Sequence, residues 1–200
     1  MHYIIQGIAV LCLLLLPRVG VAEIASVDEM LADRVLGNPE APVTIIEYSS
    51  MTCPHCASFH NDTLPKIVEE YIDTGKAKLI FRDFPFGPLA KAAAMVSRCV
   101  DEDSYHGFLT VLFRSQAQWS QSSAPAADLE RMARFAGLSK ANFDACIRNQ
   151  ELLAGIEQKA AEDGEKYDIQ STPTFLIDDT KITGAAPYET FKTAIDEALE

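Results

Sequence analysis

Two cysteines separated by two residues, Cys53-Pro54-His55-Cys56, are the part of this chain best suited to chemistry. Thiols at this spacing can close into a disulfide and pass it to another pair of thiols. The pair follows the apolar run 43–48, which reads as a buried strand, and precedes a stretch with apolar residues at helical spacing. At a strand-to-helix turn, free N–H groups and the helix dipole favour a thiolate. We therefore expect Cys53 to be the nucleophile and Cys56, one turn deeper, its resolving partner.

The same cysteine spacing also occurs in haem attachment sites, zinc sites and structural disulfides. Haem attachment requires a histidine directly after the second cysteine, and this chain has Ala57 there, so that interpretation is dropped. Zinc stays open, because Cys53, Cys56 and His60 form C-x2-C-x3-H, with Cys56 and His60 on one helical face. A non-catalytic zinc-binding or substrate-binding module is therefore an alternative to redox chemistry.

A second motif, Thr172-Pro173, stands at the start of an apolar strand, 174–177. A proline is tolerated there, because the sheet needs no hydrogen bond from the N–H that proline lacks. Together the two motifs resemble those of DsbA-like thiol:disulfide oxidoreductases of the thioredoxin superfamily, which carry the same dipeptide between the cysteines. The resemblance covers roughly residues 27–199. It implies that Pro173 follows a cis peptide bond beside the active-site disulfide, and that Thr172 and Pro173 bind an extended substrate segment.

The resemblance also implies catalytic roles for Pro54, His55 and Glu47. His55 is expected to stabilise the Cys53 thiolate, the alternative being an exposed histidine at a helix start. Glu47 interrupts an apolar strand, and an unpaired buried carboxylate is unfavourable enough to require a reason. The matching family position holds a buried acid, which implies a proton relay to Cys56; the alternative is a strand-edge glutamate facing water.

Cysteine count and an N-terminal apolar segment predict export. Residues 4–16 are almost wholly apolar and are followed by a proline, an arginine and small residues, which predicts a signal peptide, 1–22, cleaved after Ala22. The early residues lack lysine and arginine, so an uncleaved membrane anchor is the alternative. Cleavage would remove Cys12 and leave four cysteines in the domain 23–200.

An even number of cysteines in an exported chain suggests two disulfides. The spacing of Cys53 and Cys56 makes them the natural local pair, which leaves Cys99 to form a structural disulfide with Cys146. Both of these residues fall in helical sequence. Two buried free cysteines are the alternative.

Composition restricts the partners of this chain. With 200 residues, 48% of them hydrophobic, it can bury one core and a helical extension. A formal charge of -12 makes nucleic acid an unsuitable partner. The family resemblance implies reduced or unfolded exported proteins as substrates and a DsbB-like membrane reoxidase. We expect no cofactor and no metal, because the disulfide itself is the oxidant.

The sequence predicts an α/β chain with a thioredoxin fold and an all-helical insertion at about 87–166, between the active-site half and the cis-proline strand. Ser26 begins a capping box and a helix expected to run to Gly37, and Pro65 is expected to end or kink the active-site helix. The other predicted strands are 78–84 and 181–183, and the other predicted helices are 88–102, 104–117, 125–136, 139–149, 150–166 and 187–199.

These observations predict a monomeric periplasmic oxidase that donates its Cys53–Cys56 disulfide to reduced, folding exported proteins. The best-known DsbA pattern has valine where this chain has Thr172, whose hydroxyl we expect to face the sulfurs. Threonine also occurs there in periplasmic isomerases, so an isomerase or reductase of the same fold is the nearest alternative. An isomerase usually has a dimerisation domain before the catalytic one, and the segment between Ala22 and the first strand is short, so we expect a monomeric oxidase.

Overall fold

The computed structural model describes residues 24–200. The predicted signal peptide, its cleavage after Ala22, and Cys12 lie outside the described residues. Across residues 24–200, every helix is too short or too polar to cross a membrane.

Within the described residues, five strands form one mixed sheet in the order β1-β3-β2-β4-β5. Their bounds are β1 Val35–Leu36, β2 Val43–Ser49, β3 Ala77–Asp83, β4 Thr174–Ile177 and β5 Thr180–Thr183. The central strand β2 pairs parallel to β3 and antiparallel to β4. Two parallel neighbours require a crossover connection, and here a helical segment that begins at the cysteine pair provides it.

The helical segments fall into a short N-terminal helix, the crossover, an insertion between β3 and β4, and a C-terminal helix. Their bounds are α1 Val27–Leu31, α2 Pro54–Ser58, π1 Phe59–Thr63, α3 Leu64–Ile67, π2 Val68–Ile72, α4 Gly87–Arg98, α5 Glu102–Arg114, α6 Gln116–Ser120, α7 Pro125–Phe135, α8 Lys140–Cys146, α9 Gln150–Lys166 and α10 Tyr188–Ala198. The expected order of strand, helix, strand, helical insertion, hairpin and helix is therefore present.

The predicted helix from Ser26 to Gly37 is wrong beyond Leu31. Its capping box is present, with the Ser26 N–H donating to the Glu29 carboxylate at 2.9 Å. The chain after α1 instead forms β1, which pairs antiparallel with β3. An open sheet edge offers unpaired backbone groups, and this tertiary pairing overrides the local helical pattern.

Pro65 does not end the active-site helix. The chain stays helical from α2 to the end of π2, because wider π-helical turns lie on both sides of the short helix that contains Pro65. In the first of these turns the Leu64 N–H donates to the Phe59 carbonyl five residues back. Such turns accommodate a residue that lacks an N–H without breaking the helix.

The core joins the sheet to the insertion. Phe59, Phe175 and Phe191 pack against one another, with ring centroids 4.4 to 5.2 Å apart. In the insertion, Trp119 is fully buried and donates its indole N–H to the Leu112 carbonyl at 2.9 Å. All of these residues belong to a single apolar cluster, so the helical insertion is a packed extension of the sheet domain.

Arg34 is one of the residues that attach the N-terminal segment to the insertion. The buried Arg34 guanidinium donates to the carbonyls of Arg98 at 2.9 Å and Val100 at 2.7 Å, where α4 ends. Its positive charge there complements the negative end of the helix dipole. Cys99 is the C-cap of the same helix, and a disulfide joins it to Cys146 at the end of α8.

Candidate active site

The Cys53-x-x-Cys56 motif lies at the edge of the sheet where β2 ends and β4 begins. Cys53 is the N-cap of α2, with extended backbone angles, and Pro54 is the first helical residue. A proline at this position removes an N–H that would have no partner inside the helix. Cys53 is partly exposed, whereas Cys56, one turn in, is fully buried. Both are free thiols in this structure.

The second motif meets the first, although 119 positions separate them in the chain. The peptide bond between Thr172 and Pro173 is cis. The Cys53 Sγ lies 3.3 Å from the Thr172 carbonyl oxygen, to which it donates when it is protonated. The structure therefore places Thr172 and Pro173 directly beside the sulfur expected to react.

Hydrogen bonds lower the pKa of the Cys53 thiol from an ordinary value of 9.0 to about 5. The largest contribution is a hydrogen bond from the Cys56 thiol, followed by one from the Thr172 hydroxyl and by the backbone N–H groups of Cys56 and His55. Partial burial acts in the opposite direction. At neutral pH this sulfur is therefore a thiolate, which is the reactive form in disulfide exchange.

The pKa of the Cys56 thiol shifts in the opposite direction. Burial raises the pKa of the Cys56 thiol far above its ordinary value, and donation to Cys53 and the negative charge of Glu47 raise it further. Cys56 is therefore a thiol at neutral pH. Two sulfurs one helical turn apart thus have very different acidities, because Cys53 accepts hydrogen bonds from the Cys56 thiol, the Thr172 hydroxyl and backbone N–H groups, whereas Cys56 is buried in the core.

His55 is exposed, and its backbone N–H is the part of it that lowers the Cys53 pKa. The role expected for its imidazole stays a prediction.

Glu47 is fully buried in the central strand, so the alternative of a strand-edge glutamate facing water is wrong. Its neighbours across the sheet are Phe81 on β3 and Phe175 on β4. Its partner is His60, whose Nε2 lies 3.0 and 2.9 Å from the two carboxylate oxygens. A buried carboxylate in these apolar surroundings requires such a hydrogen bond.

His60 is the residue that the zinc hypothesis placed beside the cysteines, and its surroundings differ from those of a zinc ligand. Its ring stacks on Phe113 of α5, with centroids 3.9 Å apart and planes inclined by 21°. Its Nε2 is directed to Glu47. Across residues 24–200, His, Cys, Asp and Glu side chains form no group of three or more that could hold a metal ion.

Gln116, on α6 of the insertion, supports the active-site loop and was missed by the sequence analysis. Its buried side-chain amide donates to the Met51 and Cys53 carbonyls, both at 2.9 Å. These two bonds fix the loop that leads into the nucleophile. No local pattern marks this glutamine, because its acceptors lie more than sixty positions earlier in the chain.

Comparison with known sequences agrees with this geometry. A thioredoxin family model matches residues 29–197. Disulfide bond formation protein D of Bacillus subtilis is 32% identical over 170 residues, which are 83% of this chain and 77% of that protein. A putative protein-disulfide oxidoreductase of Rickettsia conorii is 30% identical over 169 residues, 84% of this chain; the match spans only 61% of the longer rickettsial protein.

Solved structures resemble most of this chain. The crystal structure of alpha-DsbA1 from Wolbachia pipientis superimposes with a TM-score of 0.77 at 34% identity, covering 84% of this chain and 90% of that one. Oxidised BdbD from Bacillus subtilis superimposes with a TM-score of 0.74 at 31% identity, covering 88% and 96% of the two chains.

Proposed function

Because this chain belongs to the thioredoxin superfamily, in its DsbA-like branch, we propose that it is a periplasmic thiol:disulfide oxidoreductase. In this role it donates its Cys53–Cys56 disulfide to reduced, folding exported proteins. The observation that carries the proposal is the geometry of the helix start, where Cys53 is the partly exposed N-cap beside Thr172 and Cys56 is fully buried. The pKa values of the two thiols shift in opposite directions as a result. A stabilised Cys53 thiolate stabilises the reduced protein, and this makes its disulfide a strong oxidant.

The proposed reaction has two exchange steps. A substrate thiolate attacks the Cys53 Sγ, the bond to Cys56 breaks, and its electron pair goes to the Cys56 sulfur, which takes up a proton. A second substrate thiolate then attacks the substrate sulfur of this mixed disulfide. The substrate leaves with a disulfide, and Cys53 is released as a thiolate. The low pKa of Cys53 favours this second step, because a more acidic thiol leaves faster.

Thr172 and Pro173 are the proposed substrate-binding residues. The carbonyl of Thr172 lies beside the Cys53 Sγ, so a peptide held along this segment has its cysteine next to the reacting sulfur. Extended peptides commonly bind to such backbone segments by main-chain hydrogen bonds. Relatives named as disulfide oxidoreductases support protein thiols as the substrate class. Reoxidation by a DsbB-like membrane protein and a monomeric state belong to the same proposal.

The glutathione redox equilibrium of the purified chain tests the donor role. We expect a reduction potential closer to the value of about -120 mV of a strong periplasmic oxidant than to the thioredoxin value of about -270 mV. The oxidised chain is also expected to form a disulfide in a reduced peptide with two cysteines, whereas a Cys53→Ser variant does not. A potential near that of thioredoxin contradicts the donor role and favours the reductase alternative. An isomerase would rearrange scrambled disulfides faster than it oxidises the peptide.

A further inference from the structure

A groove of about 390 Å³ lies between the active-site helix and α5, and the proposed reaction makes no use of it. Its walls come mainly from apolar side chains of the sheet, the active-site helix and α5, namely Leu36, Leu64, Val68, Leu79 and Leu109. Small-molecule sites in proteins are usually clefts of about 300 to 1,000 Å³ with apolar walls and few polar groups. The groove therefore has the size and the walls of such a site.

Gly107 keeps this groove open. It lies inside α5, where a glycine lowers helix stability by about 1 kcal/mol relative to alanine. Packing does not require a glycine at this position, because an added Cβ would meet nothing within 4 Å beyond its own stretch of helix. Gly107 also lines the groove, so its missing side chain leaves space for a ligand and not for a neighbouring residue.

One permanent charge lies in this groove. The chain has 29 acidic and 17 basic residues, yet among the residues that the structure describes no carboxylate lines the groove. Arg114, in the last turn of α5, lines it, is exposed and forms no ion pair within residues 24–200. Of the two histidines in the lining, His60 directs its Nε2 to Glu47, and burial lowers the pKa of His106 to about 4, so that His106 is neutral at pH 7. A ligand in the groove therefore meets the guanidinium of Arg114.

The shape of the groove and the position of this charge select the ligand. Gly107 and Arg114 lie two turns apart on one face of α5, about 10 Å along the helix axis. An elongated molecule can therefore place an acidic end at Arg114 and lie across Gly107. A hydrocarbon chain suits the apolar walls, whereas a peptide would bring backbone N–H and C=O groups to walls that cannot bind them. A carboxylate suits the acidic end, because the guanidinium fork can bind both of its oxygens.

We propose that the groove binds a long-chain carboxylate of the fatty-acid class, with its carboxylate at Arg114 and its hydrocarbon chain along α5 over Gly107. The leucine side chains of the walls cover the hydrocarbon chain. A ligand that binds the folded chain in this way also stabilises the fold by mass action. The inference goes beyond the proposed thiol-disulfide exchange and does not depend on it.

The test is a titration of the oxidised, folded chain with decanoate, followed by the NMR amide signals of Gly107 and Arg114. We expect both signals to shift and to reach saturation. Arg114→Gln should weaken binding by about 10-fold, because it removes a hydrogen-bonded charge pair. Decanol has the same hydrocarbon chain without the carboxylate, and it should bind the wild type more weakly than decanoate by a similar factor. Gly107→Leu should abolish the saturable shift, because the new side chain fills the groove.

Two variants serve as controls. Arg134→Gln removes an exposed arginine of α7 that does not line the groove. Phe135→Ser changes a neighbouring apolar groove between α5 and α7, which Gly107 also lines but Arg114 does not. Both variants should bind decanoate within about 2-fold of the wild type, as expected for surface substitutions outside the site.

A Gly107 signal that does not move with decanoate would overturn the inference, and so would equal affinities of Arg114→Gln and the wild type. Loss of binding in Phe135→Ser but not in Arg114→Gln would place the ligand in the neighbouring groove and contradict the inference as well. Vesicles of phosphatidylglycerol should leave both signals in place. If vesicles move them and decanoate does not, the surface is a membrane contact and the inference is wrong. If Gly107→Leu does not fold, Arg114→Gln still decides, because Arg114 is exposed and its replacement leaves the core intact.

Discussion

Two cysteine pairs in this molecule carry the same atoms in very different surroundings. Cys53 and Cys56 are free thiols at the end of the sheet, where N–H donors and a second thiol surround the partly exposed sulfur. Cys99 and Cys146 are bonded to each other and buried in the insertion, where the Cys99 Sγ lies 3.4 Å from the Met30 Sδ. The first pair is polarised by its donors, whereas the second is packed in an apolar core.

Sequence separation and local hydrogen-bond donors, rather than the thiol itself, therefore decide what a cysteine pair does. The active-site pair closes a loop of two intervening residues and restricts the unfolded chain very little. The second pair spans 47 positions and restricts it greatly. In addition, Arg34 holds the end of α4 next to Cys99, so that pair joins segments that other contacts already fix. We therefore expect Cys53 and Cys56 to determine reactivity, and Cys99 and Cys146 to determine stability.

The largest expected effect is on stability when the second pair is removed. In a Cys53→Ser/Cys56→Ser background, Cys99→Ala/Cys146→Ala should lower the free energy of unfolding by about 2 to 4 kcal/mol, because a loop of this length loses its constraint. Urea unfolding followed by circular dichroism would measure the change. With the active-site cysteines restored, the double-alanine variant should exchange with glutathione within a few-fold of the wild type. An unchanged unfolding free energy together with lost exchange would reverse the roles assigned to the two pairs.

The Cys53–Cys56 disulfide should change the free energy of unfolding less than the Cys99–Cys146 disulfide does. It should lower that free energy, whereas Cys99–Cys146 raises it. The folded state lowers the Cys53 pKa from 9.0 to about 5. The resulting stabilisation of the reduced protein is complete above pH 9 and is lost as the pH falls towards 5. At pH 7 it is about 2 kcal/mol after allowance for solvent screening of a partly exposed sulfur. Cys56, with its raised pKa, opposes this only above about pH 9.

The measurement is thermal unfolding of the protein with the active site reduced and oxidised, at several pH values, with mass mapping to show that Cys99–Cys146 stays closed. We expect the reduced form to gain stability over the oxidised form as the pH rises from 5 to 9. A difference between the two forms that does not change with pH would show that the Cys53 thiolate is not stabilised by folding.

The smallest predicted effect concerns the link between the insertion and the active-site loop. Gln116→Ala removes two hydrogen bonds to the Met51 and Cys53 carbonyls, and should lower the free energy of unfolding by about 1 kcal/mol. It should also raise the Cys53 pKa, because the loop that holds the Cys53 sulfur close to the backbone N–H groups of His55 and Cys56 becomes more mobile. Gln118→Ala is the matched control, an exposed glutamine of the same helix, and should change neither quantity.

Ultraviolet absorbance of the thiolate, followed during a pH titration, would report the Cys53 pKa in both glutamine variants. Identical titrations for Gln116→Ala and the wild type would limit Gln116 to a role in stability.

Most of the architecture was readable from the sequence, because it follows from local patterns. The apolar strands, the helical insertion and the Ser26 capping box depend on residues close together in the chain. The strand β1 was missed because its existence depends on pairing with β3 more than forty positions later. The continuous helix through Pro65 was missed because a π-helical turn has no strong sequence pattern.

The candidate site was readable to a smaller extent. The cysteine spacing and the proline-started strand predicted two segments that the structure brings together. The histidine spacing predicted His60 on the same helical face as Cys56, but the pattern alone did not indicate that His60 contacts Glu47. Gln116 reaches the loop from another element, and such contacts leave no trace in the spacing of a single sequence.

The contact between Cys53 and Thr172 has a consequence for the time at which the protein becomes active. Chains are synthesised from the N-terminus, and Thr172 follows Cys53 by 119 positions, after the whole helical insertion. Until that segment arrives, β2 lacks its β4 neighbour and the Cys53 sulfur lacks the threonine hydroxyl. Closing the chain between such distant segments is also slow. In a chain still being synthesised, the Cys53 pKa is therefore higher than in the complete fold. Cys53 gains its full reactivity only when synthesis is nearly complete.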